Sequence, residues 1–414
     1  VKRYLDDMEI RSLDNAPSYV VEYRGELDEK ALERSFGLLC LRHPVLRGLV
    51  TADGTGYLLH VPPDRELAVE VRDGDGRTLL REVRRPWNCE ETLTQLIVIR
   101  GKHRGFVAFR LDHSIADGGC RMAMFHELWR CYRDLTAHGA ASVEPGTELP
   151  CSPELLLRRR IHGIDGPGVP GTAKPPRPAH DLLELRIRLS REDTARVVRT
   201  AKDAGISVHA LVSGTIVAAH RDQGTAPGPT GVMYWSPVNV RNRLVPPVGA
   251  TETTNLSLIH EEVSIVDVDA DPVVIGRRLK TALDEAIANH ELPTGPPQKT
   301  FETDLDRHLA TVLISNYGVM PRFAQPAELE LVDFRTLSPA KVGFYPSYPV
   351  YTYDGRLTIL SRYPADLYPV DEAAQIQKRI TAHLAAGGGM KPGSEASPHA
   401  SRPGADVPQV VAAP

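Results

Sequence analysis

The chain has 414 residues, 42% hydrophobic and 25% charged, and its 49 basic and 53 acidic side chains leave a net charge of −4. That composition fits a globular protein of two or three domains, with enough apolar residues to build cores without metals or disulfides. It excludes a long disordered chain and a short-period fibre, and the charge balance offers no general attraction for nucleic acid or an anionic membrane.

Apolar positions at helical spacing predict a first helix over 29–41, carried by Ala31, Leu32, Phe36, Leu39 and Cys40. His43-Pro44 ends it, because the residue before proline avoids the helical region. Val45–Val50 then reads as a strand, followed by an Asp53-Gly54 turn and a second strand at Tyr57–Val61. Alternation predicts a hairpin of Leu96–Arg100 and Gly105–Leu111. A helix over about 120–135 follows, with Cys120, Met124, Leu128, Cys131 and Leu135 as its apolar stripe. Residues 163–178 hold nine Gly or Pro and read as a linker.

Beyond the linker, Leu183, Leu185, Ile187 and Leu189 alternate with charged residues, a half-buried strand. Ser190-x-x-Asp193 reads as a capping box for a helix to Ala204. Ser207 caps a more apolar helix, Val208–Arg221. Strands are expected at Val232–Val240, Thr311–Ser315 and Arg356–Leu360. Helices are expected over 271–289, with Val274, Leu279, Leu283 and Ile287 inward, and over 371–385. From Gly387 the composition predicts a disordered tail. Five cysteines without C-x-x-C spacing argue against a disulfide framework or a zinc site and favour a reducing cytoplasm. The N-terminal residues show no signal-peptide core, and no run approaches ~18 apolar residues.

Dinucleotide, P-loop and nucleophile-elbow motifs are absent. One chemical pattern stands out: His113-x-x-x-Asp117-Gly118, between a hydrophobic strand and an amphipathic helix. A histidine at a strand end serves as a general base if one ring nitrogen is free. The competing reading is a hydrogen-bonded core histidine. Asp117, at the helix start, suits a cap and an anchor for an arginine better than a second base. Gly118 and Gly119 permit a tight turn and the close approach of another segment or a ligand.

His113–Gly118 resembles the HxxxDG signature of the CoA-dependent acyltransferase superfamily: chloramphenicol acetyltransferase, plant BAHD acyltransferases, peptide condensation domains and polyketide-associated acyltransferases. Four further segments match in order. Arg42–Arg47 resembles the RHxxLR stretch, Ser207–Ala219 a helix of the second lobe, Pro237–Arg243 the following strand, and Ile314–Gly318 a late SN-x-G strand. The likeness spans residues 3 to about 385. It implies a mixed α/β fold of two chloramphenicol-acetyltransferase-like lobes with a tunnel between them. The lobes would be 1–162 and 181–386, joined by a 163–180 crossover and followed by a 387–414 tail.

The resemblance also implies a chemistry. His113 would deprotonate a hydroxyl or amine acceptor, which attacks a thioester carbonyl with no acyl-enzyme. The donor would be acyl-CoA or an acyl-phosphopantetheine carrier protein, and no cofactor or metal would be bound. Asp117 would pair with Arg241, with Arg47 and Arg243 as rivals. Ser236 is a candidate oxyanion donor, and Ser315 and Asn316 are candidate tunnel residues; for all three the plainer reading is a strand end or turn. Asp112 replaces the first histidine of condensation domains and is expected to face solvent; the alternative is that it tunes the surroundings of His113. A BAHD DFGWG motif is absent; Asp333-Phe334-Arg335 lies near its place. Arg158-Arg159-Arg160 reads as a solvated loop face, or as a dock for an acidic carrier protein. His43 reads as turn punctuation. The expected function is ester-forming acyl transfer by a monomer. The alternatives are a free-standing amide-forming enzyme, or a repurposed relative acting as a cyclase or a non-catalytic assembly-line binding module.

Overall fold

The computed structural model describes residues 1–102, 104–172, 180–223, 228–289, 291–292 and 310–385. The first half comprises β1 (Lys2–Tyr4), α1 (Asp7–Ile10), β2 (Ser18–Gly25), α2 (Glu29–Arg42), β3 (Leu49–Ala52), β4 (Tyr57–His60), β5 (Val69–Asp73), α3 (Gly76–Val83), β6 (Thr94–Arg100), β7 (Arg104–Leu111), α4 (Gly118–His138) and α5 (Pro153–His162). The second half comprises β8 (His180–Arg188), α6 (Arg191–Asp203), α7 (Val208–Arg221), β9 (Thr230–Asn239), β10 (Ser257–Val266), α8 (Pro272–Ala288), β11 (Ala310–Val319), β12 (Leu329–Leu337), β13 (Lys341–Val342), β14 (Ser347–Tyr353), β15 (Arg356–Pro364) and α9 (Val370–Leu384).

Caps explain where the helices begin. Asp28, Asp117, Ser190, Ser207 and Asp271 each accept a backbone N–H from the first turn of α2, α4, α6, α7 and α8. At Ser190 the hydroxyl also donates to Asp193 Oδ2. Gly139 closes α4 in the left-handed region. α7 is buried nearly all round, so it serves as the central helix of the second core rather than a surface one. Its contact with α8 is backbone-close. A Cβ at Gly214 would lie 2.1 Å from Pro272 O, and one at Gly276 2.3 Å from Ala210 O. Only glycine fits at either position.

The strands form a five-stranded sheet, β12-β2-β7-β6-β5, a seven-stranded sheet, β10-β9-β11-β14-β15-β8-β13, and a three-stranded sheet, β1-β4-β3. Antiparallel pairs dominate, with parallel joins at β5·β6, β9·β11 and β11·β14. One large core lies under the five-stranded sheet, against α2 and α4, and the other lies between the seven-stranded sheet and α6, α7, α8 and α9. β12 belongs to the second half by sequence, yet it pairs with β2 from Leu329↔Gly25 to Leu337↔Ser18. It carries Phe334 into the first core beside Tyr19, Tyr351 and Tyr353. The two halves are therefore laced together, not merely adjoined.

Several expectations are corrected. Pro44–Arg47 is a 3₁₀ turn, with Leu46 N–H donating to His43 O, and the strand starts only at Leu49. Proline at the first turn position favours that tight helix over a strand. Val274 is half exposed; Ile275 and Leu279 form the inner side of α8. Arg158–Arg160 lie on helix α5, not in a loop, and Arg159 and Arg160 pair with Asp165 and Glu252. His43 Nε2 pairs with Glu127. Residues 173–179 of the expected linker and the 387–414 tail lie outside the described residues. Among the described residues, no helix is long and apolar enough to cross a membrane.

Candidate active site

The loop 112–117 joins the end of β7 to the start of α4 and is held from three directions. Asp112 N–H donates to Leu93 O at 2.9 Å, His113 N–H to Asn15 O at 2.7 Å, and Asp117 N–H to Thr254 O at 3.0 Å. The last bond comes from the second half of the chain. The loop is thus a seam between the two halves, and His113 sits in it on rigid supports.

Asp112 does not face solvent; it is wholly buried. Its carboxylate accepts from Trp87 Nε1 (2.8 Å), Asp14 N–H (3.1 Å), Ser114 N–H (3.0 Å) and Ser114 Oγ (2.6 Å). Burial pushes its pKa up to about 6, against the pull of these donors. The solvent reading failed because those donors come from three separate stretches. Their effect is to stitch residues 14–15 to the loop, and Asn15 in turn accepts from His113.

Asp117 is buried, caps α4 through Cys120 N–H (2.9 Å), and accepts Leu256 N–H at 2.8 Å. Its Oδ2 is ion-paired with the equally buried Arg241. Arg241 also meets Asn239 Oδ1 (3.4 Å) and Thr253 O (3.4 Å). Of the two rival arginines, Arg47 reaches Arg65 O, and Arg243 is exposed.

Gly118 is closely covered. Tyr19 OH donates to its carbonyl at 3.0 Å, and Tyr317 from β11 stands edge-on to Tyr19, with ring centroids 6.2 Å apart. A Cβ at Gly118 would lie 2.7 Å from Tyr317 Cε1. Gly118→Ala therefore costs ~1–3 kcal/mol by overpacking, and Gly118→Ala/Tyr317→Ala recovers most of it. Urea unfolding of the two variants checks this; equal destabilisation of both would mean that Tyr317 is not the obstacle.

His113 Nδ1 lies 3.4 Å from Asn255 Nδ2, a long contact, and Nε2 has no hydrogen-bond partner among the described residues. A hydrogen bond between the ring and its own backbone pulls the pKa up. Desolvation by burial, then the Arg121 charge, outweigh that bond and Asp117, bringing the pKa down to about 4. The imidazole is therefore neutral at neutral pH. Among the described residues, no cluster of His, Cys, Asp or Glu could hold a metal.

The structure brings together His113, Asp117, Gly118 and Arg241. Ser236 is elsewhere: its Oγ is 3.3 Å from His209 Nε2 on α7, the face of β9 opposite Asn239, which borders Gly119. Ser315 shares a β11 face with Tyr317 by strand alternation. Asn316 Oδ1 accepts Gly318 N–H at 2.8 Å, fixing the turn at Gly318 (φ +72°). Sequence reasoning missed Tyr19, Trp87, Arg121, Asn255 and Tyr317. Only Arg121 left a local signal, a charge adjoining the apolar stripe of α4.

Residues 181–362 match the family model described as phthiocerol/phthiodiolone dimycocerosyl transferase C-terminus. A phthiocerol/phthiodiolone dimycocerosyl transferase of Mycobacterium ulcerans (strain Agy99) is 26% identical over 347 residues, 77% of this chain and 81% of that protein. The structure of polyketide synthase associated protein 5 from Mycobacterium tuberculosis superposes with a TM-score of 0.75 at 21% identity, covering 92% of this chain and 97% of the other. The first condensation domain of the CDA synthetase gives a TM-score of 0.72 at 15% identity, with 94% and 96% covered. At these identities the two structures speak for the fold alone.

Proposed function

Because the chain belongs to the CoA-dependent acyltransferase superfamily and is an acyltransferase, we propose that it moves an acyl group from a thioester to a hydroxyl acceptor, with His113 as general base. The observation that carries the reading is a histidine in a loop clamped by both halves of the chain, its Nε2 without a hydrogen-bond partner among the described residues; burial lowers its pKa and favours the neutral imidazole. In this reading Nε2 takes the hydroxyl proton as the acceptor oxygen attacks the thioester carbonyl. The tetrahedral oxyanion collapses, the C–S bond breaks, and the leaving thiolate takes the proton from the imidazolium. The products are an ester and a free thiol, with no acyl-enzyme. Asp117 and Arg241 hold the loop and do not touch substrate.

The donor is a CoA or carrier-protein thioester, and the acceptor a lipid or polyketide alcohol. Support comes from the relatives named as dimycocerosyl transferases and from the neighbour named as polyketide synthase associated. Thiol release from acyl-CoA and acyl-carrier-protein donors, with and without an alcohol acceptor, tests the proposal. Acceptor-dependent release identifies the donor class; release indifferent to acceptor, or none with a folded protein and a broad alcohol panel, overturns it.

The pH dependence follows from His113. A free-enzyme base with a pKa of about 4 is active when neutral, so kcat/KM falls only as pH drops through about 4, not through the ordinary histidine value of 6.5. A pH–rate profile over the range in which the fold persists checks this. An acid limb at 6.5 would mean that the base is not desolvated as described.

A further inference from the structure

We propose that Arg121 is a positioning residue for His113, its buried guanidinium stapling both ends of the loop and placing at that loop a positive charge with no ion-pair partner among the described residues. The inference rests on the reading of His113 as the base. Arg121 lies in the first turn of α4 and is 1% exposed. Its Nη2 donates to Ala116 O at 3.1 Å and, more weakly, to Leu111 O at 3.5 Å. Those two carbonyls bracket the segment that carries His113. The guanidinium carbon lies 5.2 Å from the centroid of the Tyr19 ring, and Tyr19 OH binds Gly118 O just past the loop. One arginine therefore holds the loop ends and stacks on the ring that holds the start of the helix.

What sets Arg121 apart from Arg241 is the missing counter-charge. Arg241 is ion-paired with Asp117, whereas Arg121 makes no ion pair among the described residues; the Nε of each is buried without a partner. Two carbonyl oxygens and a ring face compensate a buried cation only in part. A neutral amide of similar reach would satisfy the same carbonyls. The guanidinium adds charge, and that charge opposes protonation of His113. The other charged and titratable groups around the loop are few. Asp117 favours the imidazolium but is already paired with Arg241. Asp112 is saturated by its donors, and Tyr19 from β2, whose pKa burial pushes well above its ordinary value, is a neutral phenol at neutral pH. The staple fixes where the imidazole stands, and the charge keeps it unprotonated until the acceptor arrives.

The test is an imidazole NMR titration of the full-length protein, with the His113 signal assigned as the one lost in His113→Asn. Arg121→Gln removes the charge and keeps a donor; Arg121→Lys keeps the charge and loses the fork. The expected result is a midpoint moving up from about 4 toward 6.5 in Arg121→Gln and staying near the wild-type value in Arg121→Lys. Should Arg121→Gln fail to fold, Arg121→Met, whose apolar stem suits the buried site, supplies the neutral arm. An unmoved midpoint in the neutral variant overturns the proposal, as does an equal rise in the lysine variant, which would signal loop rearrangement. The titration needs no substrate, so it stands apart from the proposed function. That reading fails separately, if His113→Asn turns over as well as wild type.

Discussion

Replacing His113 with alanine lowers kcat by ~10²–10⁴-fold, the range lost when a positioned general base is removed. The loop does not depend on the imidazole. His113 contributes its backbone N–H to Asn15 O, which alanine retains, and among the described residues its ring makes only the long Asn255 contact. The urea midpoint of His113→Ala should therefore stay close to wild type while thiol release collapses. The proposed mechanism has no acyl-enzyme, so the variant should show no burst of thiol release either. Unchanged turnover would remove His113 from the chemistry and leave it a loop residue. A large loss of both stability and turnover would leave the catalytic role unproven by this variant, and His113→Gln, which keeps polarity and volume, then decides.

The second large effect concerns the ion pair between Asp117 and Arg241. Both partners are buried, and the pair joins α4 of the first half to the segment after β9 of the second. Asp117→Ala strands the Arg241 cation and also removes the α4 cap and the acceptor for Leu256 N–H. Loss of one partner of a buried pair costs ~3–5 kcal/mol, and loss of the cap about 1 kcal/mol more. Arg241→Met should cost ~3–5 kcal/mol for the mirror reason. The double variant strands no charge, so its cost falls well short of the sum, and the shortfall measures the coupling. Urea unfolding of the four proteins checks this. Strict additivity would show that the two side chains do not act as a pair. The single variants should also lose kcat, since the loop they release is the one that carries His113.

The local elements were legible in the sequence wherever the signal lay among neighbours. The Leu183–Leu189 alternation, the Ser190 and Ser207 caps and the stripe of α4 each appear within a residue or two of their expected places. β2, β10, β12 and β14 were not anticipated. Their partners are distant, β12 lying some three hundred residues from β2, and single-strand patterns carry no record of such pairings. Val45 and Leu46 misled because a short buried apolar run looks alike as a strand or a tight turn.

His113, Asp117 and Gly118 were singled out because their spacing in the chain is the motif itself, and the mixed α/β fold followed from the ordered segments that accompany it. Only the tertiary structure decided which of three arginines meets Asp117, that Asp112 is buried under Trp87, that Ser236 turns away toward His209, and that Arg121 donates to the carbonyls at both ends of the loop. The reason is physical. Caps, periodicity and turn residues act over a few bonds, so neighbours in sequence encode them. Burial, charge pairing and the face a strand presents depend on chain segments that meet only on folding, and Asn15, Trp87, Thr254 and Tyr317 come to the loop from four such places.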